Sequence, residues 1–529
     1  MSIPSTPLVH IAALLLTAWC QAQAPFNYKL VQGATGAGVS VLSVREVGPE
    51  VYRVSAQHGA ADGLPYFSLF DMHADGTVQN GASVPVDTNI SYKRIILPTA
   101  DGGHLFSYLW ATDGTDKQVY LKTDAAGQVE WNRYYPDNYA LFLNDIEQGI
   151  VEKDGHYFTF GHSQDVPGND GWACALVELD AVGALVARYH FAEGDDWSDI
   201  PKAILRTPEN GLSTVSVLRP YFSAASFPQI AVQRWTADLE LEWSRTYSFG
   251  NYHLLSSVNQ LADGSLVISG IVRLAFNSSG FLPFIFKVDT NGDVVWARRT
   301  QGLTPELTDV LEEADGSLSA VGWVSDSQGT GRPLTASLGP DGALLQANVT
   351  EVGSYNLRPT ELLHTNTGEY LVRYLSSSML MRLDATLNFA CGNEPYTWSD
   401  TLVEPVVVDF PVMLEQMDML TSFDSTIVST PNTFATTDLC LSTIMDPSAD
   451  PTELHAWPVP THGMLTVQLA APSGQSIYRV IDALGRTVLT GRSDDTTRLQ
   501  VDLSPMPSGM YTLVIGAETI ARHITVLKE

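Results

Sequence analysis

The chain has 529 residues, with 29 Lys and Arg against 59 Asp and Glu, which gives a formal net charge of −30 at pH 7. This length allows two to four domains, or one large β architecture with a small domain beside it. Binding to nucleic acid needs a basic footprint, so the charge excludes nucleic acid as a partner. The charge favours solubility outside the cell, and a solvated acidic surface explains it better than a dedicated calcium function.

The first residues, 1–24, have the pattern of a secretory signal peptide. An apolar stretch, residues 11–19, is followed by Ala22-Gln23-Ala24, which is a small-x-small cleavage pattern. The stretch is too short to span a bilayer as a mature helix. We therefore expect cleavage after Ala24 and no transmembrane segment in the mature form.

Residues 25–391 contain a repeat. Its clearest copy has a hairpin turn at Asp263-Gly264 between two apolar runs, and an Asp-x-x-Gly turn from Asp289 to Gly292 between two more, the last of which carries Trp296. Asp-Gly is favoured at hairpins because both central positions need positive φ, and Gly supplies the left-handed position of the second turn. Each copy therefore predicts four short antiparallel strands, and we expect the tryptophan to pack between neighbouring copies.

The spacing of the copies predicts the fold. Their first turns recur at 101, 154, 210, 263, 315 and 367, which are 53, 56, 53, 52 and 52 residues apart, and an earlier copy ends at 75–76. One four-stranded sheet cannot bury both faces alone, whereas radial stacking covers each sheet with its neighbours. The repeat predicts an all-β fold, a seven-bladed β-propeller, with six or eight blades as alternatives. A β-helix is the structural alternative, but its repeats are shorter and lack hairpin turns. The unit resembles the degenerate propeller repeats of secreted Bacteroidota proteins.

Long connections join the second strand of each unit to the third, and one unit to the next, and they fall on one face of such a propeller. Loops held by a rigid scaffold usually carry binding residues. Aromatic rings there would stack on sugars or grip a protein partner, with loop packing alone as the alternative. The ligand-binding candidates in these connections are Tyr135, Tyr139, Trp197, Tyr221, Phe222, Tyr252 and His253.

Motifs that carry catalytic chemistry are not found. The sequence has no His-Glu-x-x-His, Gly-x-Ser-x-Gly, phosphate-binding glycine loop or Cys-x-x-Cys. Asp195, Asp196 and Asp199 are candidate Ca²⁺ ligands, with a solvated acidic loop as the alternative, and we expect no other cofactor.

The sequence favours a scaffold that binds a glycan or a protein. An extracellular propeller glycosidase or polysaccharide lyase is the alternative.

The segment 392–449 has strand-like stretches, and it is either a connector or a strand that closes the last blade. Cys391 and Cys440 bracket it, and a disulfide between them is expected in an exported protein. Cys174 lies in a strand-like run, so we expect a small buried hydrophobe there.

Residues 450–529 have the pattern of a small all-β domain, with apolar runs of period two separated by Gly or Pro. Their order and spacing resemble the type A C-terminal sorting domain of the type IX secretion system of Bacteroidota. That family usually begins with Tyr-Pro-Asn-Pro, where this chain has Trp457-Pro458-Val459-Pro460. The matching positions are Pro458, Pro460, Gly463, Gly485, Gly509, Tyr511, Leu513 and Ile515. The resemblance implies a β-sandwich recognised by the type IX machinery, and export across the outer membrane followed by release or surface attachment.

Overall fold

The structure is a computed structural model. It describes residues 27–32, 37–59, 65–86, 90–112, 115–135, 149–163, 173–192, 200–218, 228–274, 280–302, 305–325, 331–350, 358–374, 379–389, 393–410, 412–417, 423–424, 427–431, 434–438, 455–457, 463–468, 476–482, 486–493, 498–517 and 520–528. The predicted signal peptide lies outside these ranges. The chain divides into two compact domains, 1–439 and 440–529. All regular structure in the described ranges is β-strand. No helical segment there has the length and hydrophobicity that a membrane crossing needs.

The N-terminal domain is built from four-stranded antiparallel repeats, and seven of them lie in the described ranges. Each consists of four consecutive strands, except that the fourth strand of repeat 7 is the first strand of the chain. The strands, repeat by repeat, are β2 Ala37–Gly48, β3 Val51–Gly59, β4 Pro65–His73 and β5 Val78–Pro85; β6 Ile90–Pro98, β7 His104–Thr112, β8 Thr115–Thr123 and β9 Val129–Tyr135; β10 Ile150–Lys153, β11 His156–Ser163, β12 Ala173–Leu179 and β13 Leu185–Ala192; β14 Ile200–Arg206, β15 Leu212–Leu218, β16 Gln229–Trp235 and β17 Leu241–Ser248; β18 Tyr252–Gln260, β19 Leu266–Arg273, β20 Leu282–Val288 and β21 Val294–Thr300; β22 Glu306–Glu312, β23 Leu318–Ser325, β24 Gly331–Leu338 and β25 Leu344–Val349; β26 Pro359–His364, β27 Tyr370–Tyr374, β28 Met379–Leu383 and β1 Asn27–Gln32.

Each hydrophobic core of this domain is shared by two neighbouring repeats. One core joins Val232 and Tyr247 of repeat 4 to Ile268 and Phe286 of repeat 5. The same arrangement recurs between repeats 1 and 2, 2 and 3, 3 and 4, 5 and 6, and 6 and 7. A further core joins repeat 1 to Leu371 and Leu380 of repeat 7. Contacts between strands follow the same order, and β2 contacts β27 and β28. The apolar faces of the repeats are therefore covered by their neighbours in a cyclic order.

The tight turns correct one detail of the sequence prediction. Both central residues have positive φ at Asp154-Gly155, at 53° and 78°, as expected for a two-residue hairpin. At Asp263-Gly264 only the glycine does, at 82°. There the Asp263 carboxylate accepts the Ser265 backbone N–H at 2.9 Å, so the aspartate stabilises the turn through its side chain. The expectation that both positions need positive φ was wrong for this turn.

Residues 393–438, which we call the belt, add a fifth strand to every repeat. The belt passes repeats 6, 5, 4, 3, 2 and 1 in that order and ends on repeat 7. An unpaired edge strand exposes backbone donors and acceptors, and the belt pairs them. Its strands, with the partner of each, are β29 Glu394–Pro395 on β25, β30 Asp400–Leu402 on β21, β31 Val406–Asp409 on β17, β32 Met413–Gln416 on β13, β33 Phe423–Asp424 on β9, β34 Thr430–Pro431 on β5 and β35 Phe434–Asp438 on β1.

Charge also holds the belt in place. The segment contains eight Asp and Glu and no Lys, Arg or His. Basic side chains of four successive repeats contact its acids. These pairs are Arg332–Glu394 at 2.6 Å, Arg298–Asp400 at 3.3 Å, Arg245–Asp409 at 3.2 Å and His190–Glu415 at 3.2 Å. The belt is therefore fixed both by backbone pairing and by ion pairs on its acidic side chains.

The tryptophans near the ends of the repeats pack between repeats, as predicted. Trp131 of repeat 2 lies against Gly183 of repeat 3, and its Nε1–H donates to the Ala181 carbonyl at 3.0 Å. Trp296 of repeat 5 lies in the same way against Gly342 of repeat 6. Glycine is needed at these turns for its positive φ and for the absence of a Cβ beneath the indole.

The C-terminal domain has two sheets around one core. The first sheet is formed by β36 His455–Trp457, β37 Met464–Gln468 and β40 Arg498–Asp502, and the second by β39 Thr487–Ser493, β38 Ser476–Asp482, β41 Gly509–Ala517 and β42 Ile520–Lys528. Leu465 and Val501 from the first sheet share the core with Val480, Leu513 and Ile515 from the second. This matches the predicted apolar runs, because alternate residues of each run point into the core.

Candidate functional site

The strand ends at which second strands finish and third strands begin define one face of the N-terminal domain, which we call the loop face. Of the seven predicted ligand-binding residues, the structure describes three, which lie in the strands β9 and β18 and not in connections. Tyr252, Tyr135 and His253 lie within the described residues. Outside them lie Tyr139, Trp197, Tyr221, Phe222, Asp195, Asp196, Asp199, Cys391, Cys440, Pro458, Pro460 and Gly485.

Tyr135 lies in the interior of the domain. Its side chain is 4 % exposed, and its hydroxyl donates to the carbonyl of Gly183 in repeat 3 at 2.8 Å. Tyr247 makes the same bond to Gly292 at 2.6 Å between repeats 4 and 5. The recurrence between different repeats indicates that packing between repeats accounts for Tyr135.

His253 is fully buried and stabilises the connection between repeats 4 and 5. Its Nε2 accepts the Phe249 backbone N–H at 2.9 Å, and its Nδ1–H donates to the Pro228 carbonyl at 2.6 Å. Burial lowers the pKa of His253 to about 4, against a smaller opposing effect of the Pro228 carbonyl. The imidazole is therefore neutral at physiological pH, and it positions the backbone beside Tyr252.

Tyr252 lies on the loop face in a row of three side chains. It is directly opposite Arg273 on the neighbouring strand, and Phe281 immediately precedes the third strand, whose first residue, Leu282, pairs with Val272. The Arg273 guanidinium carbon is 4.4 Å from the centre of the Phe281 ring. The Tyr252 and Phe281 rings meet edge to face at 5.8 Å. All three side chains are half-buried, so the strands hold them in position while part of each faces solvent.

Arg273 differs electrostatically from most described cations. In the part of the chain that the structure describes, no carboxylate lies within ion-pair distance of Arg273, and its buried Nε has no hydrogen-bond partner. Other basic side chains of this domain do contact carboxylates; these include Arg53, Lys122, Arg234, Arg245, Arg298 and Arg373. The Arg273 guanidinium contacts an aromatic ring where these other cations contact a carboxylate. Its positive charge is therefore not neutralised by a carboxylate among the described residues.

A second cluster joins repeats 6 and 7 on the same face. Arg358 stacks over Trp323 at 4.5 Å, and both donate to Glu306 Oε2, at 2.5 and 2.9 Å. Ser256 of repeat 5 donates to the other oxygen of Glu306 at 2.7 Å. The carboxylate is thus fully hydrogen-bonded, and the arrangement ties three repeats together.

A third cluster lies in repeat 2. Lys117 Nζ is 4.8 Å from the Trp110 ring and 5.1 Å from the Tyr134 ring. The sequence did not predict Lys117, Arg273 or Arg358, because each is a single cation whose aromatic partner lies on another strand. The detectable signal was an aromatic residue close to the loop-face end of a strand.

Titratable groups in the described residues do not form a metal site. No cluster of three His, Cys, Asp or Glu side chains has a metal-binding arrangement in these ranges. Burial raises the pKa of Asp309 to about 7. This carboxyl is buried and accepts the backbone N–H groups of Leu362 and Val310, at 2.8 and 2.9 Å. Asp309 therefore links repeats 6 and 7 in the interior, away from solvent.

The described residues of the sorting pattern form the framework of the C-terminal domain. Leu513 and Ile515 are core residues, and the Tyr511 hydroxyl donates to the Pro507 carbonyl at 2.8 Å. Gly463 lies against Ser504, where a Cβ would clash. These residues define the shape of the domain that an export machinery would recognise.

Comparison with known families agrees with this domain. A family described as the secretion system C-terminal sorting domain matches residues 455–527. The match confirms the resemblance of the C-terminal domain and supports export through the type IX secretion system. The chain is a secreted or cell-surface protein.

Comparisons with whole proteins give no further assignment. No curated protein matches the chain. Among solved structures, a tryptophan-to-alanine mutant of Synechocystis apocarotenoid oxygenase is 11% identical, covering 72% of this chain and 93% of that chain, with a TM-score of 0.23. A biofilm associated protein, BSP domain, is 10% identical, covering 94% of this chain and 96% of that chain, with a TM-score of 0.12. Scores this low give no information about the fold or activity of this chain.

Proposed function

We propose that this protein is a seven-bladed β-propeller exported by the type IX secretion system, and that its loop face binds a glycan or a protein outside the cell. The blades would be the seven repeats, each strengthened by one strand of the belt. The cyclic sharing of hydrophobic cores supports this arrangement, because a repeat with neighbours on both sides buries both of its faces.

One observation carries the binding role, namely the rows of aromatic and basic side chains at the loop-face ends of the strands. They recur in repeats 2, 5 and 6, where they include Trp110, Phe281 and Trp323. An aromatic ring supplies a flat apolar surface, and the cation stacked on it adds charge; Arg358 also pairs with Glu306, whereas Arg273 contacts no carboxylate among the described residues. Such rows, held by paired strands, suit a ligand that offers both flat and polar surfaces.

Binding is tested with the mature chain on a glycan array, in polysaccharide pull-downs and in capture of surface proteins. The variant Phe281→Ala and the variant Trp110→Ala each remove one ring of the loop face. We expect at least one class of ligand to bind and one of these variants to weaken it. Released oligosaccharides would instead identify a glycosidase or lyase, and no ligand of either class would contradict the binding role.

Export is tested separately by deleting residues 450–529 in the producing cell. Since the sorting domain addresses the chain to the type IX machinery, we expect the truncated protein to accumulate in the periplasm. A matched control replaces Met464, whose side chain is exposed, with Gln. Secretion of the truncated protein at the normal level would refute this route.

A further inference from the structure

We propose that Tyr252, Arg273 and Phe281 form a binding site for a carboxylate-bearing sugar unit of an acidic polysaccharide. This inference rests on the proposed function and deepens it, because it assigns one row of the loop face to one class of glycan. Tyr252 and Arg273 lie opposite each other on two neighbouring strands of repeat 5, and Phe281 immediately precedes the third strand.

The charge of the row suits an anionic ligand. The whole chain carries a formal charge of −30, which repels a polyanion over most of the surface. Arg273 is a cation with no carboxylate in contact among the described residues. The guanidinium of Arg273 can therefore form an ion pair with a bound anion, whereas Arg358 already forms one with Glu306.

Two sequence segments that follow second strands are also free of acids. The segments 219–227 and 275–279, which follow the second strands of repeats 4 and 5, contain no Asp or Glu. By contrast, the segments 193–199 and 136–148, which follow the fourth strands of repeats 3 and 2, contain four and three acids. Screening at physiological salt limits repulsion to about 8 Å, so local composition decides where a polyanion is tolerated.

The geometry of the row matches a sugar acid. A guanidinium fixed over a ring presents a planar fork of donors, which pairs with a carboxylate through two parallel hydrogen bonds. The Tyr252 and Phe281 rings lie edge to face at 5.8 Å and add apolar surface beside that fork. A uronic acid unit combines a rigid ring, with an apolar C–H face, and a carboxylate attached directly to it. The side chain of an acidic peptide brings the carboxylate without the rigid ring, so the sugar fits the whole row.

The test measures binding of the mature full-length chain to oligogalacturonate by calorimetry, with the methyl-esterified oligosaccharide and poly-glutamate as comparison ligands. We expect oligogalacturonate to bind more tightly than either, and binding to weaken as salt is raised. Arg273→Ala should lose about tenfold or more in affinity, as expected for a charge-assisted bidentate contact. Arg273→Lys should retain part of the binding, and Phe281→Ala should weaken it for both charged and esterified forms.

The matched control is Lys287→Ala, which removes a cation from the opposite end of the strands of repeat 5, where it pairs with Asp263 at 3.3 Å, and should leave affinity unchanged. Thermal unfolding of each variant checks that the fold is intact. Equal binding by Arg273→Ala and the parent chain would overturn the site, as would equal effects of Lys287→Ala and Arg273→Ala. Tighter binding of poly-glutamate would assign the row to an acidic protein instead. Binding of neutral glycans alone would overturn this inference while leaving the proposed function standing, whereas absence of any ligand would overturn both.

Discussion

The indole of Trp243 in repeat 4 lies directly over Gly292 in the third turn of repeat 5. A Cβ at Gly292 would be 2.9 Å from the Cζ3 atom of the indole, and the Trp243 Nε1–H donates to the Thr290 carbonyl at 2.8 Å. Gly292 has a φ of +81°. The contact joins two neighbouring repeats, so the turn glycine serves packing between repeats as well as the turn itself.

Gly292→Ala is expected to destabilise the N-terminal domain more than a matched change at Gly368. Gly368 has a φ of +80°, but a Cβ there would have no neighbour within 4 Å. Both changes incur about 1 to 2 kcal/mol for a left-handed alanine. Gly292→Ala adds about 1 to 3 kcal/mol of steric strain against the indole. Urea unfolding of the two variants measures the difference, and equal midpoints would show that the Trp243 contact does not constrain this position.

Phe434 anchors the end of the belt. Its side chain is 9 % exposed and stacks on Phe70 at 4.4 Å between ring centres, with an edge contact to His58 at 5.3 Å. Phe434→Ala should cost about 3 to 5 kcal/mol, because a large buried ring is removed, and should make the belt more sensitive to limited proteolysis. Val428→Ala is the control within the belt, since Val428 is 71 % exposed. If both variants are cleaved at the parental rate, Phe434 does not hold the belt.

His253 predicts a loss of stability in mild acid. Its folded pKa of about 4 lies below the unfolded value of 6.5, so the unfolded chain binds the proton more readily. The contribution of the neutral, buried imidazole is complete above pH 6.5 and is lost as the pH falls towards 4. The full loss is on the order of 3 kcal/mol. His253→Gln cannot take up this proton. The difference between its denaturation midpoints at pH 7.5 and pH 4.5 should therefore be smaller than in the parent chain, and an identical pH dependence would count against a depressed pKa.

The predicted disulfide between Cys391 and Cys440 would close the belt into a loop. Both ends of the belt are anchored on repeat 7: Asn393 bonds to the Phe389 backbone, and Asp438 is in register with Tyr28, which pairs with Leu380. The two cysteines themselves lie outside the described residues. We expect a linked peptide in a non-reducing digest. Replacing both cysteines with serine should cost about 4 kcal/mol, as the chain-entropy model gives for a loop of about 50 residues.

Cys174 provides an internal reference for that experiment. It is fully buried in the core between repeats 3 and 4. A thiol reagent should therefore modify Cys174 in the denatured chain only. Two reactive thiols in addition to Cys174 after denaturation without reductant would exclude the disulfide.

Much of the local structure followed from the sequence because it depends on neighbouring residues. Asp-Gly and Asp-x-x-Gly turns force the chain to reverse, and their spacing of 52 to 56 residues gave the number of repeats and the length of their strands. The tryptophan contacts followed from the same repeat, since a large apolar residue at one position of each sheet needs a partner in the next. The export signal in the C-terminal domain also followed from the sequence, because it is a local pattern of residue types; Leu513 and Ile515 of that pattern lie in the core of the domain.

The belt and the loop-face row were decided by tertiary structure. Strands of the belt such as Asp400–Leu402 and Val406–Asp409 are too short to be identified by alternation, and their partners lie more than a hundred residues earlier in the chain. The row of Tyr252, Arg273 and Phe281 depends on the register of neighbouring strands, where a shift by one residue would send the strand side chains to the opposite face. The sequence alone therefore determined the repeat, its turns and the export domain, which are local properties. The belt arises only when distant strands pair, and the placement of Arg273, which contacts no carboxylate among the described residues, against an aromatic ring depends on the register of neighbouring strands.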